Sequence, residues 1–133
     1  MKYLLDTDIC SYAMQRRSRE IIERIRAHRA GELKVSVVTQ FELEYGARRS
    51  ERKNELLAVI ESFLANVEIL SLDLAAARHA AIVRSQLGAV GTPIGQYDLL
   101  IAGHALSIDA TLVTNNVDEF HRVDGLRVEN WSA

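Results

Sequence analysis

Four places in this sequence put oxygen-bearing side chains where an apolar run stops. "YLLDTDIC" passes from a strand-like stretch into Asp6 and Asp8, and "SVVTQFELEYG" carries Glu42. "PIGQYDLLIAGHA" carries Asp98, and "LVTNNVDEF" brings Thr114, Asn115, Asn116, Asp118 and Glu119. Asp8 stands just before Ile9, where an aspartate caps a helix, and one cap does not account for two acids. Thr39 and Glu42 have the spacing of a capping box, with Glu42 in the first turn of its helix. Gly46 lies four residues on, at a cost of about 1 kcal/mol against alanine in a helix, and so implies a close approach there. Asp98 shares a helical face with Ile101, Ala102 and Ala105. An inward carboxylate of that kind needs a cation or a raised pKa. His104, on another part of the same helix, reads as a structural histidine.

The chain has no Cys or His set at zinc spacing and no nucleophile paired with a base in a recognisable motif. Acids and amides at strand ends instead suit a hard cation such as Mg2+, which takes oxygen ligands and pairs with substrate phosphate. The matching chemistry is hydrolysis of a phosphate bond, in which a metal activates water and offsets charge on the phosphoryl oxygens.

The elements that must hold these groups follow from periodicity. Strands are expected at Lys2 to Leu5, Leu33 to Val38, Val67 to Leu70, Ala110 to Val113 and Leu126 to Glu129. Helices are expected at Ile9 to Met14, Arg19 to Arg29, Thr39 to Arg49, Glu51 to Ala65, Leu72 to Leu87 and Tyr97 to Ser107, with "GAVGTPIG" as the Gly/Pro break. Alternating strands and helices predict an α/β domain with a central, mainly parallel sheet flanked by helices. In such sheets functional groups gather outside the carboxyl ends of the strands.

The 133 residues fit a single domain over 1–133, and 48% hydrophobic with 26% charged residues is an ordinary globular composition. Cys10 is the only cysteine, which excludes an internal disulfide and reads as a small buried hydrophobe. No stretch reaches the length of a membrane span and no signal-like segment is evident, so a cytoplasmic protein is expected. The formal charge of -2 argues against a basic coat, yet Arg16 to Arg29 hold six arginines, and Arg48, Arg49, Arg52 and Lys53 form a second cluster. Solvated helix faces account for most of these charges, and the clustering leaves room for a phosphate-binding surface.

Taken in order, "YLLDTDIC", "SVVTQFELEYG", "PIGQYDLLIAGHA" and "LVTNNVDEFHRVDGLRVENW" resemble a PIN-domain ribonuclease over essentially the whole chain, of the kind found as the toxin of VapBC toxin-antitoxin pairs. The resemblance implies a three-layer fold and a magnesium site, manganese being an alternative, in which Asp6, Glu42 and Asp98 are catalytic acids and metal ligands. Thr114 corresponds to a supporting hydroxyl. Asn116 stands where many PIN domains carry a fourth aspartate, and Glu119, ahead of Asp118, is the acid expected to compensate. It further implies water attack on an RNA phosphodiester leaving a 5′-phosphate and a 3′-hydroxyl, with tRNA as the class of substrate. Expected partners are a second copy of the chain and a VapB-type antitoxin that sets a basic side chain among the carboxylates. "RRSREIIERIRAHR" would contribute to an antitoxin groove or an RNA surface.

Two rival readings start from the same residues. "LLDTDIC" resembles the D-x-D of haloacid-dehalogenase-like phosphatases, but that fold needs a longer chain and a later lysine than Lys2, Lys34 or Lys53. The other is a non-catalytic PIN-like module that binds RNA or protein, suggested by the asparagine at 116.

Overall fold

The computed structural model describes residues 1–132. Five strands, β1 (Tyr3–Leu5), β2 (Leu33–Ser36), β3 (Glu68–Leu70), β4 (Thr111–Val113) and β5 (Val128–Glu129), form one sheet in the order β3-β2-β1-β4-β5. All four pairings are parallel, with Tyr3 opposite Leu33 on one side and Thr111 on the other. The first strand is therefore central, and the chain builds outward from it in both directions. The helices are α1 (Thr7–Met14), α2 (Arg19–Ala27), α3 (Val37–Arg48), α4 (Lys53–Leu64), α5 (Leu74–Ala89), α6 (Gln96–Ser107) and α7 (Val117–Phe120). Among the described residues no helix is long and apolar enough to cross a membrane.

Strand periodicity divides the core into two. Tyr3, Leu5, Leu33, Val35 and Val113 point to the side packed by α1, α2 and α4, with Ile9, Cys10, Ile21, Ile60 and Leu64. Leu4 and Leu112 point to the other side, against Val83 and Leu87 of α5, Ile101, Ala102 and Ala105 of α6, and Phe120. Apolar residues at successive positions of β1 follow from this coverage of both faces, and the three layers match the sequence expectation. Cys10 is a buried core residue, as expected.

α3 belongs to both layers: Val38 packs with one core, while Leu43 and Ala47 pack with the other. The helix consequently crosses the carboxyl edge of the sheet. It also begins earlier than its sequence suggests. Ser36 is the N-cap, its Oγ accepting from the Val38 amide at 3.1 Å, so Val37 and Val38 are helical rather than the end of a strand. The Thr39/Glu42 capping box does not form, and Glu42 sits in the second turn. β-Branching at Val37 and Val38 favours a strand, but a serine cap and burial of Val38 against α5 and α6 prevail.

Two helical glycines have opposite surroundings. Gly46 was expected to mark a close approach, yet a Cβ there would meet nothing within 4 Å. The tight contact is at Gly103, where a Cβ would collide with the backbone nitrogen and Cα of Ala80. α5 and α6 can thus approach one another only because residue 103 lacks a side chain. Gly103→Ala should cost about 1–3 kcal/mol through forced separation of these helices, whereas Gly46→Ala should add about 0.5–1 kcal/mol from propensity alone. Urea denaturation midpoints of the two variants test this contrast, and equal shifts would contradict it.

Candidate active site

β1 and β4 end side by side at the carboxyl edge, with β2 on the other side of β1, so the chain leaves the sheet there in different directions. This is the topological position at which open α/β sheets form crevices. Asp6 follows β1 directly. Its amide donates to the Val113 carbonyl of β4 at 3.0 Å, and its Oδ1 accepts from the Ile9 amide at 2.8 Å. Asp6, rather than Asp8, is therefore the N-cap of α1. The helix starts at Thr7, one residue before the expected cap, which leaves Asp8 exposed on the first turn.

The Asp6 carboxylate is only 3% exposed. Burial pushes its pKa up to about 7, opposed by hydrogen bonds from the Thr114 hydroxyl and the Ile9 amide, and reinforced by the charges of Asp8 and Asp98. Thr114 ends β4 fully buried, and its Oγ1 also accepts from the Asn116 amide at 2.9 Å. The threonine thereby fixes both the first carboxylate and the turn that follows β4.

Asp98 lies in the first turn of α6, half-buried above Ile101, Ala102 and Ala105. Burial pushes its pKa to about 7, helped by the charge of Glu119 and a hydrogen bond shared with it, then by Glu42 and Asp8. Glu119 reaches this point from α7, a short helix where only a polar turn was expected. Its Oε1 accepts from the Gly95 amide at 3.2 Å, and its Oε2 from the side-chain amide of Asn116. Asn116 itself is exposed and holds Glu119, while Asp118 is exposed without such contacts. Glu42 is partly buried, and its Oε1 accepts from Thr7 Oγ1 at 2.7 Å. Thr7 also contacts Thr39 Oγ1 at 3.2 Å.

The structure thus brings Asp6, Asp98, Glu119, Glu42 and Thr114 to one edge, with Asn116 at its rim. Sequence reasoning passed over Thr7, which positions Glu42 and whose signal was a hydroxyl directly after the strand-terminal acid. Asp8, read there as a helix cap, instead adds charge to the site, and Asn115, named there within a polar turn, has its Oδ1 buried without a hydrogen-bond partner. His104 is structural, as expected: it is buried, and its Nδ1 lies 2.8 Å from Ser36 Oγ, linking the helix of Asp98 to the cap of the helix of Glu42.

The donor set is entirely oxygen, with like charges gathered where water is scarce, and such a set fits a hard divalent cation. As they are oriented, no three acidic, His or Cys side chains among the described residues stand close enough together to grip an ion. Glu42 turns to Thr7, and Glu119 to Gly95 and Asn116. A cavity of about 620 Å³ opens beside them, polar at Thr7, Asp8 and Glu42 and apolar at Met14, Leu43 and Leu56.

Residues 3–126 match the family model described as the PIN domain. The chain is 42% identical to the "tRNA(fMet)-specific endonuclease VapC" of Shigella flexneri over 99% of both chains. It is 44% identical to "Ribonuclease VapC2" of Haemophilus influenzae over 98% of both. Among solved structures, a chain of the DNA-bound VapBC from Salmonella typhimurium superposes with a TM-score of 0.94 at 40% identity, over 98% of both chains. These relatives displace the phosphatase reading, and their names are those of nucleases.

The raised pKa values fix the sign of a pH dependence. Asp6 and Asp98 ionise near their ordinary 3.8 in the unfolded chain but hold protons to about 7 in the folded, metal-free chain. The folded state binds more protons across this window, so stability from these groups is full near pH 4 and is lost as pH rises to 7. Asp6→Asn retains the cap, since asparagine caps as well as aspartate. It should stabilise the chain in EDTA near pH 8 by roughly 2 kcal/mol and flatten the pH slope, as read by thermal melts. A less stable Asn variant at that pH would contradict the assignment.

Proposed function

We propose that this chain, which belongs to the PIN-domain family and has VapC ribonucleases as close relatives, is the toxin of a toxin-antitoxin pair that cuts tRNA with Mg2+ held by Asp6, Asp98 and Glu42. The carrying observation is the confinement of Asp6 and Asp98 with Glu119 at the carboxyl edge, where both acids are pushed to about 7. PIN-domain nucleases work with a divalent metal, which supplies an activated water and neutralises charge on the phosphoryl oxygens.

The chain's own residues have separable tasks. Asp6 is held by the Ile9 amide and the Thr114 hydroxyl, so its second oxygen has a fixed direction. Burial and the neighbouring Glu119 carboxylate raise the Asp98 pKa in the free chain, and a divalent cation held there would lower it again. Thr7 keeps Glu42 oriented until then. Asn116 steadies Glu119, which stands in for the missing fourth aspartate. The expected products are a 5′-phosphate and a 3′-hydroxyl. Solved relatives are VapBC complexes, which supports a VapB-type antitoxin as the partner, acting in the cytoplasm. The cavity beside Glu42, acidic at one end and apolar along its wall, suits a peptide carrying one basic and several apolar side chains.

Purified chain, freed of antitoxin, should cut tRNA with Mg2+ or Mn2+ and not in EDTA. Asp6→Asn and Asp98→Asn should lower cleavage by several orders of magnitude without loss of fold, and Glu119→Gln should do so more mildly, with a raised metal requirement. Cleavage that persists in EDTA, or in the Asp6→Asn protein, would refute the mechanism. Mapping RNA ends after induction identifies the RNA and the bond.

A further inference from the structure

The acid edge explains how a phosphodiester could be cut but not which one. Its carboxylates repel a polyanion, and the formal charge of -2 supplies no general attraction. Choice of a bond falls to groups beside the acids that recognise a base and a phosphate together.

The connection from α5 to α6 brings such groups to the site. Gly91, at φ 72°, turns the chain out of α5, and the Thr92 amide returns to the Leu87 carbonyl at 2.9 Å, so the connection is folded onto its own helix. Its last residue, Gly95, meets the acids. The Gly95 amide donates to Glu119 Oε1 at 3.2 Å, and a Cβ there would lie 3.6 Å from Asp98 Oδ2. Pro93 and Ile94, just before it, line a cavity of about 220 Å³ whose other apolar walls are Leu87 and Leu99. The cavity and the acids thus share one short stretch of backbone. Arg84 and Gln96, both exposed, also line the cavity. Arg122, exposed as well, donates from Nη1 to the Pro93 carbonyl at 3.4 Å. Among the described residues neither arginine takes part in an ion pair. Pockets for drug-sized ligands run to about 300–1,000 Å³, and this smaller one matches a group the size of a single base.

We propose that the cavity holds one unpaired base of the RNA beside the scissile phosphate, with Gln96 hydrogen-bonding its edge and Arg84 and Arg122 meeting the flanking phosphates; this rests on the reading of the chain as a ribonuclease. A base taken out of its stack is held by apolar side chains on its faces and polar groups on its edge, and the cavity offers both. The glutamine amide donates and accepts, so it pairs with a base edge in a way that a purely cationic group does not. Guanidinium groups match phosphate geometry, and these two supply the positive charge that the acid edge lacks. Bases in a duplex are stacked and paired. The cavity therefore admits bases of loops, and the base it holds sets which bond reaches the acids.

Anisotropy of a short, unstructured, fluorescein-labelled oligoribonucleotide bound to the uncleaving Asp6→Asn protein, in EDTA, measures this contact. The informative variant is Gly88→Leu, made in that protein. Gly88 lines the cavity, a Cβ there meets nothing within 4 Å, and leucine is a better helix former than glycine. The variant should melt no lower than its parent, yet bind the oligonucleotide roughly tenfold more weakly. Arg84→Gln and Arg122→Gln should each lower the salt slope by about one. A Gly88→Leu protein that binds like its parent would overturn the pocket, and so would an abasic probe that binds as tightly as the natural one. Displacement of the oligonucleotide by an equal concentration of the four nucleoside 5′-monophosphates would assign the cavity to free nucleotides instead of RNA. A loss of binding that follows a change of oligomeric state in sedimentation would assign it to contact between copies, and either result overturns the proposal. Cleavage by chains with Asp6 intact keeps this apart from the nuclease reading. Binding lost in Gly88→Leu, in a chain that cuts no RNA, supports the base site and overturns the nuclease, while Mg2+-dependent cleavage with KM and cut sites unchanged by Gly88→Leu does the reverse.

Discussion

Carboxylates that face one another away from water repel, and the repulsion is strongest where it is least screened. Everything at the carboxyl edge of this sheet bears on that constraint. Asp6 is buried, and Asp98 is half-buried beside the Glu119 carboxylate. In the free chain burial and this repulsion raise the pKa of Asp6 and Asp98, and hydrogen bonds hold the acids in place. Asp6 is fixed by the amide of Ile9, and Glu119 by Gly95 and Asn116. A site that has given up two protons' worth of ionisation gains from any positive group that enters it. A divalent cation or other positive group entering there would relieve the repulsion and favour the folded chain by mass action.

Rigidity at the edge comes from contacts some distance below it. β1 is central and paired on both sides, so the residue that follows it cannot shift without disturbing two ladders. α6 is pressed against α5 at Gly103, and the neighbouring His104 reaches Ser36, the cap of α3. Ser36 thus receives the Val38 amide and meets His104 at once, tying the start of the helix that bears Glu42 to the helix that bears Asp98. Burial pushes the His104 pKa down, so the ring stays neutral in its apolar surroundings and the link persists over the ordinary pH range. One glycine and one buried hydrogen bond therefore set the spacing between two acids on separate helices.

Much of this was legible in the sequence, for physical reasons that can be named. Strand runs such as "YLL" and "TLV" are apolar at consecutive positions because helices cover both sheet faces, and that pattern alone predicts the parallel sheet and its functional edge. Asp98 could be read as inward because three apolar residues share its helical face. Local rules failed where two of them competed. Asp6 and Asp8 both suit a cap, and the choice between them depends on where β1 stops, which is set by pairing with β4. Val37 and Val38 have strand propensity, yet Ser36 caps a helix through them, and with that shift the Thr39/Glu42 capping box disappears. Gly46 and Gly103 are alike in sequence. Only the position of α5 distinguishes an open glycine from an indispensable one.

The division of labour at the edge also explains a charge pattern that composition leaves puzzling. A nearly neutral chain that handles a polyanion cannot rely on its overall field, and among the described residues only Arg24, Arg48, Arg52 and Arg127 of its thirteen arginines stand beside a carboxylate. Exposed pairs of this kind contribute little to stability, and the other arginines keep their charge for other partners. Arg17 and Arg49 rest on aromatic rings rather than on carboxylates, so each can meet a phosphate without breaking an ion pair.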